Sequence, residues 1–224
     1  MLRIIPDKPA LEIVGRERWL IVADLHLGIV SFPDRSVTRE VSSLAERVRA
    51  DGIVVLGDLK HDIGLRARER KEVEIFKESL LDLGIDEEKI VLVRGNHDAG
   101  LDDLIRIEPS SGFTFKDLGL FHGHAKPSEK VLDSKLLIFA HIHPAVMISE
   151  GVKSRVWLEG EEEPWRTGKC KEILVMPAFN ELCSSIAVNV DRKISKRYGL
   201  LNLNAIMLDG TKLGKVGMLR NVVD

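Results

Sequence analysis

Trp19-Leu20-Ile21-Val22-Ala23-Asp24-Leu25-His26 begins with five apolar residues and closes on a carboxylate and an imidazole. A short run of this kind reads as a buried strand that hands the chain to a polar loop. Working outward, the same design recurs at residues 53–56, 90–93, 118–121 and 136–140. Between the first two runs, residues 35–50 carry Val37, Val41, Leu44, Ala45 and Val48 at helical spacing, with charges on the other face. Between the second and third, residues 67–83 repeat the pattern with Val73, Phe76, Leu80, Leu81 and Leu83, and Gly84 follows as a stop. Strand, helix, strand, helix, strand predicts an α/β layer with parallel pairing.

Beyond Pro109 the helical signal fades. Runs at 113–115, 118–122, 136–140, 172–176, 186–190 and 200–208 predict a second sheet packed on the first. Residues 151–171, with Gly160 and Pro164, are polar and turn-rich and predict a surface excursion between strands. No internal repeat is visible. The expectation is one domain over residues 1–224, with a core over 18–190 and short C-terminal strands or an extension over 195–224. With 44% hydrophobic and 30% charged residues, the composition excludes a disordered tail, a collagen-like repeat and a coiled-coil rod.

A formal charge of -2 supplies no field that would gather nucleic acid or anionic lipid non-specifically, so any grip on phosphate must be local. Cys170 and Cys183 form neither a CxxC nor a disulfide framework, which fits a reducing compartment. The first nine residues hold no apolar signal core, and no apolar run approaches the ~18 residues of a membrane span. A soluble, cytoplasmic protein is the expectation.

All seven histidines lie within a few residues of the C-terminal end of one of the five apolar runs. These are His26, His61, His97, the pair His122 and His124, and the pair His141 and His143. In open α/β sheets the loops at carboxyl strand ends converge on one crevice. Crowded imidazoles gain from proximity mainly when a cation sits between them. Asp24, Asp58 and Asn96 add oxygen donors beside them, so the inference is a metal site. Asp24-x-His26 and His141-x-His143 each place two donors on one side of a strand tip. Seven candidates (Asp24, His26, Asp58, Asn96, His122, His141 and His143) exceed one tetrahedral ion and suit two divalent ions ~3.5–4 Å apart that share a carboxylate. Imidazoles with oxygen donors and no thiolate point to Mn²⁺, Fe, Zn²⁺ or Co²⁺ rather than Mg²⁺ or Ca²⁺.

Asp24-x-His26, Gly57-Asp58, Gly95-Asn96-His97-Asp98, His122-Gly123 and His141-x-His143, in that order, resemble the five motifs of the calcineurin-like metallophosphoesterases. Asp24-Leu25-His26-Leu27-Gly28, Gly57-Asp58-Leu59-Lys60-His61 and the segment from Pro177 through Cys183 look like the archaeal subgroup related to SbcD and Mre11, and like a ligase-associated bacterial relative. The last motif usually begins with Gly and here has Ala140, which leaves both ligands in place. The resemblance implies a metallophosphatase fold, a four-layer α/β/β/α sandwich of two mixed β-sheets flanked by helices. It implies Asp24, His26 and His143 around a first metal, Asn96, His122 and His141 around a second, and Asp58 bridging. Mn²⁺ comes first among the metals on this ground.

The implied reaction is attack of a metal-activated hydroxide on phosphorus, with His97 protonating the leaving group and Asp98 orienting its imidazole. The substrate expected is a phosphodiester, of nucleotide or nucleic-acid type. Few residues follow Ser195, whereas SbcD and Mre11 continue into a capping domain and an ATPase-binding extension, so no obligate ATPase partner is expected. The alternative is a catalytically silent, protein-binding scaffold with the same fold. His61 and His124 are weaker candidates for contacts around the site. The run Arg66, Arg68, Arg70, Lys71 reads as a solvated helix face, since Glu69, Glu72 and Glu74 interleave. Arg192, Lys193, Lys196, Arg197, Lys212, Lys215 and Arg220 make the C-terminal region locally cationic, and Cys183 reads as a buried small residue.

Overall fold

The computed structural model describes residues 1–163 and 170–219. The first sheet is six-stranded, with β1 (Leu2–Ile4), β2 (Leu11–Ile13), β3 (Trp19–Val22), β4 (Gly52–Val55), β5 (Ile90–Val93) and β6 (Arg106–Glu108) side by side in chain order. Pairing is antiparallel from β1 to β3 and parallel from β3 to β6. Helices α1 (Ser36–Val48) and α2 (Ala67–Leu81) make the crossovers from β3 to β4 and from β4 to β5, as the apolar spacing predicts. After α2 the chain turns at Gly84, whose φ of 83° lies in the left-handed region, and the Gly84 amide donates to Leu81 at 2.8 Å.

The second sheet is nine-stranded and mixed. It contains β7 (Phe113–Phe115), β8 (Leu118–Leu120), β9 (Leu136–Phe139), β10 (Pro144–Ser149), β11 (Val152–Glu162), β12 (Lys171–Val175), β13 (Ile186–Ala187), β14 (Asn204–Met207) and β15 (Lys212–Lys215). Strands β8, β9 and β12 run parallel, and β11 pairs antiparallel with β10, β12 and β14.

Side-chain alternation sorts the apolar residues into three layers of core. Leu20, Val22, Ile53, Val55 and Leu92 face α1 and α2, where they meet Val41, Leu44, Val73, Phe76 and Leu80. Their neighbours Ile21, Ala23, Val54, Leu56, Val91 and Val93 face the second sheet and pack on Ile138, Ala140, Trp157, Leu174 and Met176. The outer face of the second sheet, with Leu137, Phe139, Val156, Leu158 and Val175, is covered by Val131, Leu200, Leu203 and Val216. Burial on both faces explains why these strands read as unbroken apolar runs. The architecture is two mixed sheets face to face with helices outside. Its fourth layer is thin, made by the four-residue α3 (Glu129–Leu132), the six-residue α4 (Arg192–Arg197) and irregular chain.

The expected surface excursion over 151–171 is corrected: most of it is β11, the longest strand at 11 residues, and Val156, Trp157 and Leu158 are wholly buried in it. Glu159 and Glu161 at its far half lend it a loop-like composition, yet backbone pairing to β12 and β14 does not depend on side-chain polarity. Pro164 and Arg220 lie outside the described residues. The expected strands over 186–190 and 200–208 contract to β13 and β14, and the cationic residues 192–197 form α4. The short strands β1, β2, β6 and β15 carry too little pattern for the sequence to announce. Among the described residues no helix is long and apolar enough to cross a membrane.

Candidate metal centre

Parallel β3, β4 and β5 end at one edge of the first sheet, and parallel β8 and β9 end beside them in the second. The five loops that follow carry all seven histidines and the acidic candidates. The loops are stitched together by backbone: the Asp24 amide donates to Gly57 at 3.1 Å and the His26 amide to Asp58 at 2.9 Å. The two sheets are joined where the His141 amide reaches Asp24 Oδ2 at 3.3 Å.

The loops turn sharply at the donors themselves. Asp24, His26, Asp58, His141 and His143 all have positive φ, between 43° and 70°, five of the eight non-glycine residues described in that region. Such backbone costs about 1 kcal/mol or more per residue and persists only where surrounding structure enforces it. Two glycines allow the close approach. A Cβ on Gly57 would collide with the His122 ring, and one on Gly95 would collide with the Asp58 carboxylate.

Asp24, Asp58 and His122 are essentially sealed from solvent, and His26 is 5% exposed. Asp58 Oδ2 lies 3.3 Å from His122 Nε2, 3.7 Å from His26 Nε2 and 4.0 Å from His97 Nε2, so it occupies a central position. Asp24 Oδ1 is 3.2 Å from His143 Nε2 and 3.8 Å from His122 Nδ1. His122 donates from Nδ1 to the Leu56 carbonyl at 2.7 Å, and His143 from Nδ1 to the Ser184 carbonyl at 2.8 Å. Those bonds fix the ring orientations and turn both Nε2 atoms toward the carboxylates.

Asp24 Oδ1, His26 Nε2, His122 Nε2 and His143 Nε2 are buried without a hydrogen-bond partner, although buried polar atoms are ordinarily satisfied. The ion-pair partners of Asp24 and Asp58 are imidazoles, and among the described residues no Lys or Arg pairs with either. Two buried carboxylates without a fixed counter-charge are costly. Three donor groups lie within 4.8 Å: Asp24, His26, Asp58; Asp58, His122, His141; and His26, His143, Cys183. These residues fit divalent cations.

Electrostatics point the same way. Burial pushes the His26 imidazole down to about 4, against the pull of Asp24 and Asp58, and burial together with His122 brings His141 to about 4. Both are neutral at pH 7 and ready to donate a lone pair. Burial would also depress His122, but the nearby carboxylates of Asp58 and Asp24 lift it to about 9. Burial would raise Asp58, yet His122 beside it holds the carboxyl well below the usual range. Without a cation, His122 thus keeps a proton as stand-in positive charge.

Asn96 and His97 line the same cleft, Asn96 exposed and His97 half-buried. The His97 amide donates to Asp58 Oδ1 at 3.0 Å, and its Nδ1 is held by the His61 carbonyl. Here the expected role of Asp98 is corrected. Its carboxylate is buried and accepts three backbone amides, from Gly95 at 2.7 Å, Asp58 at 2.8 Å and Leu59 at 2.9 Å. It orients two ligand loops, and the carbonyl of His61 orients His97. Three amides converging on one carboxylate satisfy it without any side-chain partner.

His61 Nδ1 sits 3.4 Å from His26 Nδ1, and His124 packs its ring 5.2 Å from that of His122. Two residues escaped the sequence reading. Lys60 is wholly buried, and its ammonium donates to the backbone carbonyls of Asp62, Ile63, Gly64 and His97, binding the β4 loop to the β5 loop. Its only signal was its place two residues after Asp58. Cys183, in the loop from Pro177, lines the cleft among His26 and His143.

A family model described as calcineurin-like phosphoesterase matches residues 18–143. No curated protein sequence matches the chain. Among solved structures, a nuclease called MPE from Pseudomonas putida is similar at 20% identity and a TM-score of 0.59, covering 83% of this chain and 84% of that one. YfcE, a phosphoesterase from E. coli, is similar at 19% identity and a TM-score of 0.43, covering 90% of this chain and 99% of that one.

Proposed function

Because this chain belongs to the calcineurin-like phosphoesterase family, a family of metal-dependent phosphoester hydrolases, we propose that it is a dinuclear phosphodiesterase in which Asp24, His26 and His143 hold one cation, Asn96, His122 and His141 the other, and Asp58 both. The observation that carries this reading is the set of buried, unpartnered donor atoms on Asp24, His26, His122 and His143 converging around two carboxylates that lack a fixed counter-charge. Mn²⁺ is the cation we favour, with Fe, Zn²⁺ and Co²⁺ as substitutes. When bound, such ions supply an activated water at neutral pH and neutralise charge on the phosphoryl oxygens.

The chain's own residues do the rest. Asp58 draws the two halves of the site together. His97, anchored at Nδ1 by the His61 carbonyl, presents Nε2 to the cleft, where a proton held on that nitrogen can pass to the leaving oxygen. Asp98 and Lys60 hold the loops that carry Asp58 and His97 in register.

Two features of the cleft favour a diester over a monoester. Its described lining contains no Lys or Arg to meet the second negative charge of a monoester, and Ile29, Ile142 and Ile186 offer apolar surface to a second ester group. A nucleotide or a nucleic-acid strand is the diester we favour, in keeping with the motifs at Asp24, Gly57 and Pro177 that resemble the SbcD/Mre11-related subgroup and with the Pseudomonas putida neighbour, which is named a nuclease. The silent-scaffold reading is disfavoured because such a scaffold is free to lose donors and this chain keeps all seven.

The test is hydrolysis of bis-p-nitrophenyl phosphate by protein loaded with Mn²⁺. Turnover abolished by Asp58→Asn supports the reading. A metal-loaded protein inert toward a broad panel of phosphodiesters and monoesters overturns it.

A further inference from the structure

We infer that Cys183 is a switchable additional donor of the first metal position, beside Asp24, His26, His143 and the shared Asp58, engaged by thiophilic cations such as Zn²⁺ and Co²⁺ and left free by Mn²⁺. The inference rests on the metal centre proposed above and adds to it a residue that sets metal preference. Cys183 Sγ lies in one donor group with His26 and His143, all their donor atoms within 4.8 Å of one another. The Nε2 atoms of both imidazoles and the neighbouring Asp24 Oδ1 are buried and unpartnered, with His26 only 5% exposed. The thiol has just a weak contact of its own, to the Asp24 carbonyl at 3.8 Å.

The loop that carries Cys183 is built onto this position rather than drifting past it. The Phe179 amide donates to Ala23 at 2.9 Å, the Asn180 side chain donates to the Leu25 carbonyl at 2.9 Å, and the Cys183 amide returns to Asn180 at 3.2 Å. On the other side the Ser184 carbonyl receives the Nδ1 proton of His143. One loop thereby grips both strand tips that supply the first metal position, with the thiol between them.

Ligand softness then discriminates. Mn²⁺ prefers carboxylate, imidazole and water, whereas Zn²⁺ and Co²⁺ take thiolate readily. With Asp58, the residues Asp24, His26, His143 and Cys183 offer two oxygens, two nitrogens and a sulfur, and the thiolate among them suits Zn²⁺. On engagement the thiol proton passes to solvent as sulfur takes its place on the cation. A thiolate added to the other protein donors would take the place of a water, so Zn²⁺ would bind tightly and support little turnover.

The test uses cobalt as a spectroscopic probe in the full chain carrying Cys170→Ser, which removes the other, exposed thiol. Metal-free protein is titrated with Co²⁺, alongside the same chain with Cys183→Ser and with Cys183→Ala. The expected result is a near-ultraviolet sulfur-to-cobalt charge-transfer band that both variants lose while their visible d–d bands persist. Zn²⁺ affinity, measured by competition with a chromophoric chelator, should fall at least about tenfold in Cys183→Ser while Mn²⁺ affinity moves little. Visible d–d bands without the charge-transfer band, or equal Zn²⁺ affinity with and without the thiol, overturn the role of Cys183 and leave the metal centre standing. No cobalt spectrum in any of the chains overturns both.

Discussion

The two sheets bring different chemistry to the cleft. Every oxygen donor, Asp24, Asp58 and Asn96, comes from loops of the first sheet, whereas the second sheet delivers only imidazoles, His122, His141 and His143. Negative charge is therefore concentrated on one wall and imidazole nitrogens on the other. A cation between them, as proposed, would serve as a clasp across the sheet interface as well as a catalytic group, and losing an oxygen should cost more than losing a nitrogen.

The sharpest way to break that contrast is to compare one residue from each wall. Asp58→Asn should lower kcat/KM for a diester by about 10³-fold, since it removes a central charge that imidazoles cannot replace. His141→Asn, which keeps a donor of similar reach, should cost about tenfold less. Steady-state rates on bis-p-nitrophenyl phosphate at saturating Mn²⁺ decide it, and equal losses would end the distinction between the walls. Trp157→Ala probes the interface behind the cleft. Its side chain is wholly buried between the sheets, and unfolding in urea should show a loss of about 4 kcal/mol.

Lys60→Met tests the pin beneath the first wall. Four backbone carbonyls lose a charged donor, so stability should fall by about 3 kcal/mol, with metal affinity reduced because the Asp58 and His97 loops part. Unchanged urea unfolding would show that the loops hold each other without it. His97→Ala should slow esters with poor leaving groups far more than nitrophenyl esters, with metal content unaltered. Equal slowing of both classes would deny it the proton.

The smallest effect expected is a pH profile. In metal-free protein His122 sits at about 9, and His143 is raised as well, burial opposing and Asp24 prevailing. Both keep protons that the unfolded chain releases above 6.5, so the stability they contribute is full below 6.5 and is lost as pH rises toward about 9. His26 and His141, held at about 4, behave oppositely: below 6.5 the unfolded chain takes up protons that the folded one refuses, and stability falls with pH. Thermal unfolding of chelator-treated protein should thus peak near pH 6.5, and metal should flatten the alkaline side by replacing the protons. A monotonic profile between about pH 4 and about pH 9 would contradict this.

Most of the first sheet was legible because its central strands are buried on both faces and separated by helices of clear period. The gathering of the candidate donors in one cleft was legible for a related reason, since strand ends of a parallel sheet must share an edge. The second sheet was half hidden. Glu159, Gly160, Glu161 and Glu162 give the far end of β11 the composition of a turn, and only the triplet of Val156, Trp157 and Leu158 hinted at burial. Asp98 was assigned to its sequence neighbour His97, but its oxygens are spent on amides of Gly95, Asp58 and Leu59, a choice set by loop geometry that spacing cannot reveal. Lys60 was invisible because lysine is rarely buried without a carboxylate, and nothing in sequence foretells a cage of carbonyls.

The left-handed backbone at Asp24, His26, Asp58, His141 and His143 acts as a filter on the amino-acid alphabet. Apart from glycine, the residues that enter that region most readily are Asn, Asp and His. Branched and bulky side chains are turned away by sterics before chemistry is consulted. At these five positions mutation can therefore exchange one potential chelating group for another far more easily than it can remove one, so that, on the proposed reading, metal preference would be free to drift on a scaffold that resists ceasing to bind metal.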